Sequence, residues 1–299
     1  MTTADDFMGF GIGLQSIHFK QMLQQTPSVD WFEVITEDVL QTQPEKRHVL
    51  DAIAEQYPLV CHGESLSIAS REPLDMNYLL KLKQLSHELN PKWISEHISC
   101  PQLHGNQSQH GQPLPYNDDA IKQVVERIKV IQDVLGQQIL LENVSSHLSY
   151  QQASMDEWIF LSTLAQEADC LLLVDINNIY ISARNHNFNP LDYLDRLDAK
   201  RVKQFHLEGH SDFGEQAIDT HHKNVPPSVW TLYQAALERF GPVSTMIERS
   251  DNTQTFDHLY GELCQAKYIA DITLPNHPSL TSSVVKQDNL YSNKLSLQG

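Results

Sequence analysis

Eight short apolar runs recur along this chain, and a longer segment with helical periodicity separates most of them. The runs span residues 9–14, 31–37, 59–65, 93–99, 139–145, 171–180, 202–210 and 244–250. Each has strand length and is rich in Val, Ile, Leu, Phe or Trp, residues that suit a pleated, buried surface. Between them, residues 75–89 space Leu79, Leu82, Leu85 and Leu89 three or four apart. Residues 117–135 put Ile121, Val124, Val125, Ile128, Ile131 and Leu135 on one helical face. Residues 155–168, 226–240 and 256–270 repeat the pattern, and Gly136 and Gly241 stand at C-cap positions. Strict alternation implies parallel strands joined by helical crossovers, and eight units favour a closed α/β barrel over an open sheet. GFGIGLQ leads into Ser16, Ile17 and His18 rather than a phosphate-binding helix start, which weighs against a nucleotide-binding sheet.

The chain's 299 residues suit one such barrel, which takes roughly 250. The expected organisation is a barrel domain over residues 1–272 and a C-terminal extension over residues 273–299, rich in Ser, Asn, Gln and Leu. A formal net charge of −17, from 38 acidic against 21 basic residues, disfavours nucleic acid as a partner, because phosphate binding needs clustered Lys and Arg. Cys61, Cys100, Cys170 and Cys264 lie far apart with no CxxC pair, which argues against a thiolate zinc site and a disulfide framework. MTTADDFMGFGIGLQ has neither the basic flank nor the apolar core of a signal peptide. No stretch approaches the roughly 18 apolar residues of a membrane span. A cytoplasmic protein with no membrane partner is expected.

The strands share one peculiarity: apolar beginnings and polar ends. LVCHGES, WISEHIS, ILLENVS, LLLVDINNIY, VKQFHLEGH and STMIERS are the examples. In an α/β barrel, C-terminal strand ends converge on one mouth. Six strands should therefore deliver His62, Glu64, Glu96, His97, Glu142, Asn143, Asp175, Asn177, His206, Glu208, His210 and Glu248 there, with Asp219 and His221 added from the loop after the seventh strand. Residues two apart on a strand face one side, so Asp175 with Asn177, and His206 with Glu208 and His210, are expected to point inward together. Buried carboxylates repel one another, and bound cations relieve that repulsion better than neutral imidazoles. Histidine, carboxylate and amide ligands without sulfur suit iron, manganese or zinc, and this many ligands implies two or three ions. His186 and His147 could reach the mouth, whereas His18, His48, His87 and His258 read as surface residues. No GxSxG nucleophile elbow is present.

GIGLQSIHF, DWFEVITED, YPLVCHGESLSI, PKWISEHIS, LPYNDDAI, ILLENVSSHL, LLLVDINNIYISARNHNF, HLEGH, IDTHHKNV and IERS, in this order, resemble the multinuclear non-haem iron-dependent oxidative enzymes. That family was long catalogued as a domain of unknown function and includes relatives of the methanobactin biosynthesis oxidase. The resemblance runs over most of the chain, from about residue 9 to 270. It implies metal ligands at His62, His97, Glu142, Asp175, Asn177, His206, Asp219, His221 and Glu248, with His210, Glu208 and Asn143 as candidates for groups acting beside the metals. It also implies two to three iron ions of mixed ferrous and ferric state, and molecular oxygen as co-substrate. The implied substrate is a cysteine-containing precursor peptide, and the implied partner a small protein that binds its leader. His222 and Ser250 stand where many relatives have Asp, and neither departure removes an implied ligand.

The competing reading is a zinc- or manganese-dependent phosphodiesterase or sugar isomerase on the same (β/α)8 TIM barrel, of the xylose-isomerase-like or AP-endonuclease-like kind. The acidic charge weighs against a DNA substrate. A non-catalytic metal buffer fits less well, because its ligands would sit in exposed tracts rather than at the ends of buried strands.

Overall fold

A computed structural model describes residues 7–98, 115–146, 153–212, 217–219, 223–249, 254–275, 277 and 280. Eight parallel strands close into a barrel: β1 (Phe10–Gly13), β2 (Trp31–Ile35), β3 (Leu59–Gly63), β4 (Ile94–His97), β5 (Leu140–Glu142), β6 (Leu171–Asp175), β7 (Val202–Leu207) and β10 (Ser244–Ile247). Between β7 and β10 the chain adds an antiparallel hairpin, β8 (His210–Asp212) with β9 (Ala217–Asp219). Around the barrel run α1 (Phe19–Gln24), α2 (Thr36–Leu40), α3 (Pro44–Ala54), α4 (Met76–Leu89), α5 (Asp118–Leu135), α6 (Glu157–Glu167), α7 (Ile176–His186), α8 (Pro190–Arg196), α9 (Pro227–Phe240) and α10 (Phe256–Thr273). The (β/α)8 barrel expected from the alternation is thus the fold.

The helices start and stop for local reasons. Asp75 caps α4 by accepting from the Asn77 and Tyr78 amides, and Asn117 caps α5 by accepting from the Ala120 amide. Gly136 ends α5 in the left-handed conformation, at φ 75°. The periodic leucines of α4 and the six apolar residues of α5 are buried against the outside of the barrel.

Inside the barrel a separate apolar group of Trp31, Val60, Trp93, Leu140, Leu173 and Met246 forms the floor. Gly11 is required beside it, because a Cβ there would enter the Trp31 ring. Two residues further along the same strands the interior turns polar. Parallel register sets His62 beside Ser95, His97 beside Glu142, and Asp175 and Met246 beside His206.

One strand reaches this arrangement by a register shift. Leu172 pairs with Val202 and both belong to the outer core, yet the next residue, Leu173 of the floor, pairs with Gln204. The extra residue, Lys203, reverses the alternation of β7, as a bulge does. Gln204 and His206 therefore turn into the barrel, while Phe205 and Leu207 pack outside.

Cys61 and Cys170 are buried free thiols and Cys264 is exposed on α10; Cys100 lies outside the described residues. Most of the expected C-terminal extension does too, although Leu280 is buried against the outer core. No helix among the described residues is long and apolar enough to cross a membrane.

Candidate metal centre

Six strands place His62, His97, Glu142, Asp175, His206 and Glu248 together at the carboxyl end of the barrel. All but His97 are buried, and His97 keeps a side-chain exposure of 19%. Two groups have ligand-type atoms within 4.8 Å of one another: His62, His97 and Glu142, and Glu142, Asp175, His206 and Glu248. Glu142 belongs to both. Its Oε2 lies 2.7 Å from His97 Nε2 and 3.3 Å from His62 Nε2, while its Oε1 lies 3.3 Å from His206 Nδ1. His206 Nδ1 is also 2.9 Å from Glu248 Oε2. A carboxylate with one oxygen toward each group is the natural bridge between two cations.

The donor set fits a metal in a further respect. His62 Nε2, His206 Nδ1 and Glu142 Oε2 face the shared space, are buried, and make no well-formed hydrogen bond among the described residues. Buried polar atoms are rarely left so, and a cation would satisfy all three. The electrostatics agree. Burial raises the Glu142 carboxyl, but His97, His206 and His62 outweigh it and hold Glu142 well below the usual carboxylate range. Burial lowers His97, yet chiefly Glu142 outweighs it and pushes the imidazole up to about 10. Burial lowers His206 too, and Glu33, Glu248 and Glu142 together raise it well above the ordinary histidine range. Without cations the raised His97 and His206 favour their protonated forms beside the carboxylates, and a bound metal would displace those protons.

The remaining expected site residues form a neighbouring group on the rim. Asn177 Nδ2 donates to Glu208 Oε1 at 3.3 Å, and His210 Nδ1 donates to Asn177 Oδ1 at 2.7 Å. His210 stacks on Tyr180 with ring centroids 5.1 Å apart. Gly209, just before the hairpin, admits the backbone carbonyls of Lys223 and Asn224, which a Cβ there would strike. The β8–β9 pairing sets the backbone of Asp219 opposite His210. The Asp219 side chain and all of His221 and His147 lie outside the described residues.

Several placements differ from the sequence expectation. Asp175 and Asn177 do not share a strand face: β6 ends at Asp175, whose carboxylate caps α7 by accepting from the Asn178 amide, so Asn177 stands in the first helical turn. Likewise β7 ends at Leu207, so His210 does not continue the strand with His206 and Glu208 as expected but opens a hairpin. Asn143 brackets the neighbouring strand instead of facing the cluster, its Nδ2 donating to the Asp175 carbonyl and its Oδ1 accepting from the Asp175 amide. Glu64 is exposed, and Glu96 accepts from the Leu66 amide, on the opposite face of β4 from His97. His186 bonds Ser146. His48, His87 and His258 are exposed as expected, but His18 is buried against Phe256.

Three residues beneath the cluster escaped the sequence reading. Glu33 Oε2 lies 3.2 Å from His206 Nε2 and accepts from Gln204 Nε2 at 2.6 Å. Ser95 Oγ lies 2.8 Å from His62 Nδ1. A single acid inside WFEVI, on the inward parity of an apolar strand, was the available signal for Glu33.

Comparison with known proteins bears on this centre. The chain is 44% identical to a UPF0276 protein of Anaeromyxobacter sp. strain Fw109-5, over 85% of this chain and 90% of that one. It is 42% identical to a UPF0276 protein of Caulobacter vibrioides, over 89% and 95%. Among solved structures, D-psicose 3-epimerase from Clostridium cellulolyticum H10 matches with a TM-score of 0.59 at 12% identity, over 89% and 99% of the two chains. Endonuclease IV from Thermus thermophilus matches with a TM-score of 0.59 at 14% identity, over 86% and 98%. These two share the barrel. The family described as "RiPP precursor modification enzyme MbnB/TglH/ChrH" matches residues 9–271. With that match spanning the whole barrel and every strand end of the cluster, the chain belongs to this family of enzymes that modify ribosomally made precursor peptides.

Proposed function

We propose that this protein is a multinuclear non-haem iron oxidase that modifies cysteine residues of a ribosomally made precursor peptide, with molecular oxygen as oxidant. The observation that carries the reading is the buried layer of histidines and carboxylates in two groups sharing Glu142, in a chain of this family. His62, His97 and Glu142 would hold one iron, and Glu142, Asp175, His206 and Glu248 a second. Asn177, Asp219 and His221 would supply further ligands from the rim, with Glu208 and His210 holding the Asn177 amide. Bound iron would supply a Lewis acid for a cysteine thiolate and one-electron chemistry for oxygen.

The chain's own residues set the conditions. The apolar floor closes the barrel interior beneath the cluster, so a peptide would approach from the rim, where His210 and Tyr180 stand. The ligand histidines must be neutral to bind, so metal loading works against the protons that the carboxylates attract. A small protein that binds the precursor leader would deliver the peptide.

The test is metal content and Mössbauer spectroscopy of protein purified without oxygen, followed by oxygen uptake with cysteine-bearing candidate peptides. Two to three irons per chain, with coupled ferric and ferrous signals and peptide-dependent oxygen uptake, is the expected outcome. Stoichiometric zinc or manganese that supports phosphodiester cleavage or sugar isomerisation, with iron unable to replace it, would overturn the reading.

A further inference from the structure

We propose that Glu33 is a positioning residue that decides which nitrogen of His206 faces the metal centre, and that Trp93 and Gln204 hold Glu33 to that role. The inference rests on the metal centre proposed above and concerns how one of its ligands is aimed.

A neutral imidazole has one nitrogen with a free lone pair and one that carries hydrogen. His206 turns Nδ1 toward Glu142 and Glu248, so Nδ1 is the ligating atom. Its Nε2 must then carry the hydrogen, and a buried N–H needs an acceptor. Two groups stand within reach of Nε2: Glu33 Oε2 at 3.2 Å and the Gln204 side-chain amide at 2.8 Å.

Trp93 decides between them. Its indole N–H can only donate, and it points at the Gln204 amide. Gln204 must answer with its oxygen, which leaves its NH2 on the far side, donating to Glu33 Oε2 at 2.6 Å. An amide so turned cannot accept from His206. With a metal on Nδ1, Glu33 therefore receives both hydrogens, and the direction of every bond from the floor to the metal layer follows: Trp93 to Gln204, Gln204 to Glu33, His206 to Glu33; without metal, the second Gln204 amide hydrogen can instead donate to an unprotonated Nε2 at 2.8 Å. Glu33 is 2% exposed and Gln204 and His206 are fully buried, so the three groups are shielded from bulk water.

His62 is handled in the opposite sense. It turns Nε2 to Glu142, and its Nδ1 meets the Ser95 hydroxyl, which itself donates to the Cys61 carbonyl at 3.4 Å. A hydroxyl can accept or donate, and it carries no charge. A carboxylate behind an imidazole both fixes the tautomer and strengthens the ring as a ligand, an effect of roughly 10–100-fold in metal affinity. The two metal groups are thus supported unequally, with the carboxylate behind the group that contains His206.

The experiment uses zinc, a redox-silent probe, titrated into metal-free full-length protein, with His206 read by 15N NMR. Wild-type protein should show His206 protonated at Nε2 and bound through Nδ1. E33Q should bind zinc in the His206 group about 10–100-fold more weakly, with the two His206 nitrogen signals shifted toward a tautomer mixture. The His62–His97 group should keep its affinity and spectrum. W93F, which removes the lock on the Gln204 amide together with part of the buried floor, should move the same signals in the same direction by less; it also serves if E33Q does not fold. Unchanged zinc affinity and unchanged His206 signals in folded E33Q would overturn the proposal while leaving the metal centre standing. Wild-type protein that takes up neither zinc nor iron would overturn the metal centre, and the proposal with it.

Discussion

The floor and the mouth of this barrel are made by the same strands, a dipeptide apart, and they do opposite work. The floor is six apolar side chains excluded from water, which stabilise the fold. The mouth buries Glu142, Asp175 and Glu248 among three histidines, an arrangement that costs stability until opposite charge is supplied. Stability and function are thus stacked along one axis, and outside the Trp93–Gln204–Glu33 link a change in the floor should act mainly on folding and a change at the mouth mainly on metal binding.

The largest expected effect is at the mouth. Glu142→Ala removes the one residue common to both groups, so both should lose metal. Iron content after anaerobic loading should fall toward zero and peptide oxidation with it, while the metal-free variant should still unfold in one cooperative transition, at a Tm lowered by the loss of the Glu142–histidine attractions. Retention of wild-type iron would break the comparison.

Leu140→Ala is the mirror experiment. Leu140 is a fully buried floor residue two positions before Glu142. Deleting its side chain should cost about 2–5 kcal/mol of folding stability. Denaturant titration should show that loss, and metal content measured well below the unfolding transition should match wild type.

A pH series sharpens the same contrast. The folded His97 value, pushed up to about 10 chiefly by Glu142 against the effect of burial, lies above the ordinary histidine value near 6.5. Its stabilising contribution is therefore complete below about pH 6.5 and is lost as pH rises through about 10. Glu142 runs the other way: its contribution is present above the ordinary glutamate value of about 4.3 and disappears as pH falls through the lowered folded value. The Tm of metal-free protein should accordingly decline from neutral toward pH 10, and zinc-loaded protein should show a flatter profile over that range. Equal slopes with and without zinc would mean that the metal does not replace those protons.

The smallest effect belongs to neither level. Asp75→Ala removes the cap of α4 on the outer ring and should cost about 1 kcal/mol, without altering metal content or pH profile.

The floor and mouth also differ in how legible they were. The alternation of apolar runs with helical periodicity favoured a barrel, since eight parallel strands joined by seven helical crossovers bring their polar ends to one side. His62, His97, Glu142, Asp175, His206 and Glu248 could be read from that rule, because each lies at or beside the last residue of its strand. The rule failed just past the strand ends. Asp175 stops β6 by capping α7, and β7 stops at Leu207 before the hairpin, so Asn177 and His210 arrive at the site by routes that period-two reasoning does not describe.

The sequence by itself determined the fold class, the parallel order of its strands and the chemistry collected at the mouth, because those follow from side-chain periodicity and from where polar residues interrupt it. The tertiary structure alone decided which atoms meet. The shift at Lys203 turns Gln204 and His206 inward, and Glu33 reaches His206 only because barrel closure brings β2 within reach of β7, with β1 and β10 between them. Which nitrogen of an imidazole is left to bind a metal depends on such contacts between distant strands, and no local pattern in the chain encodes them.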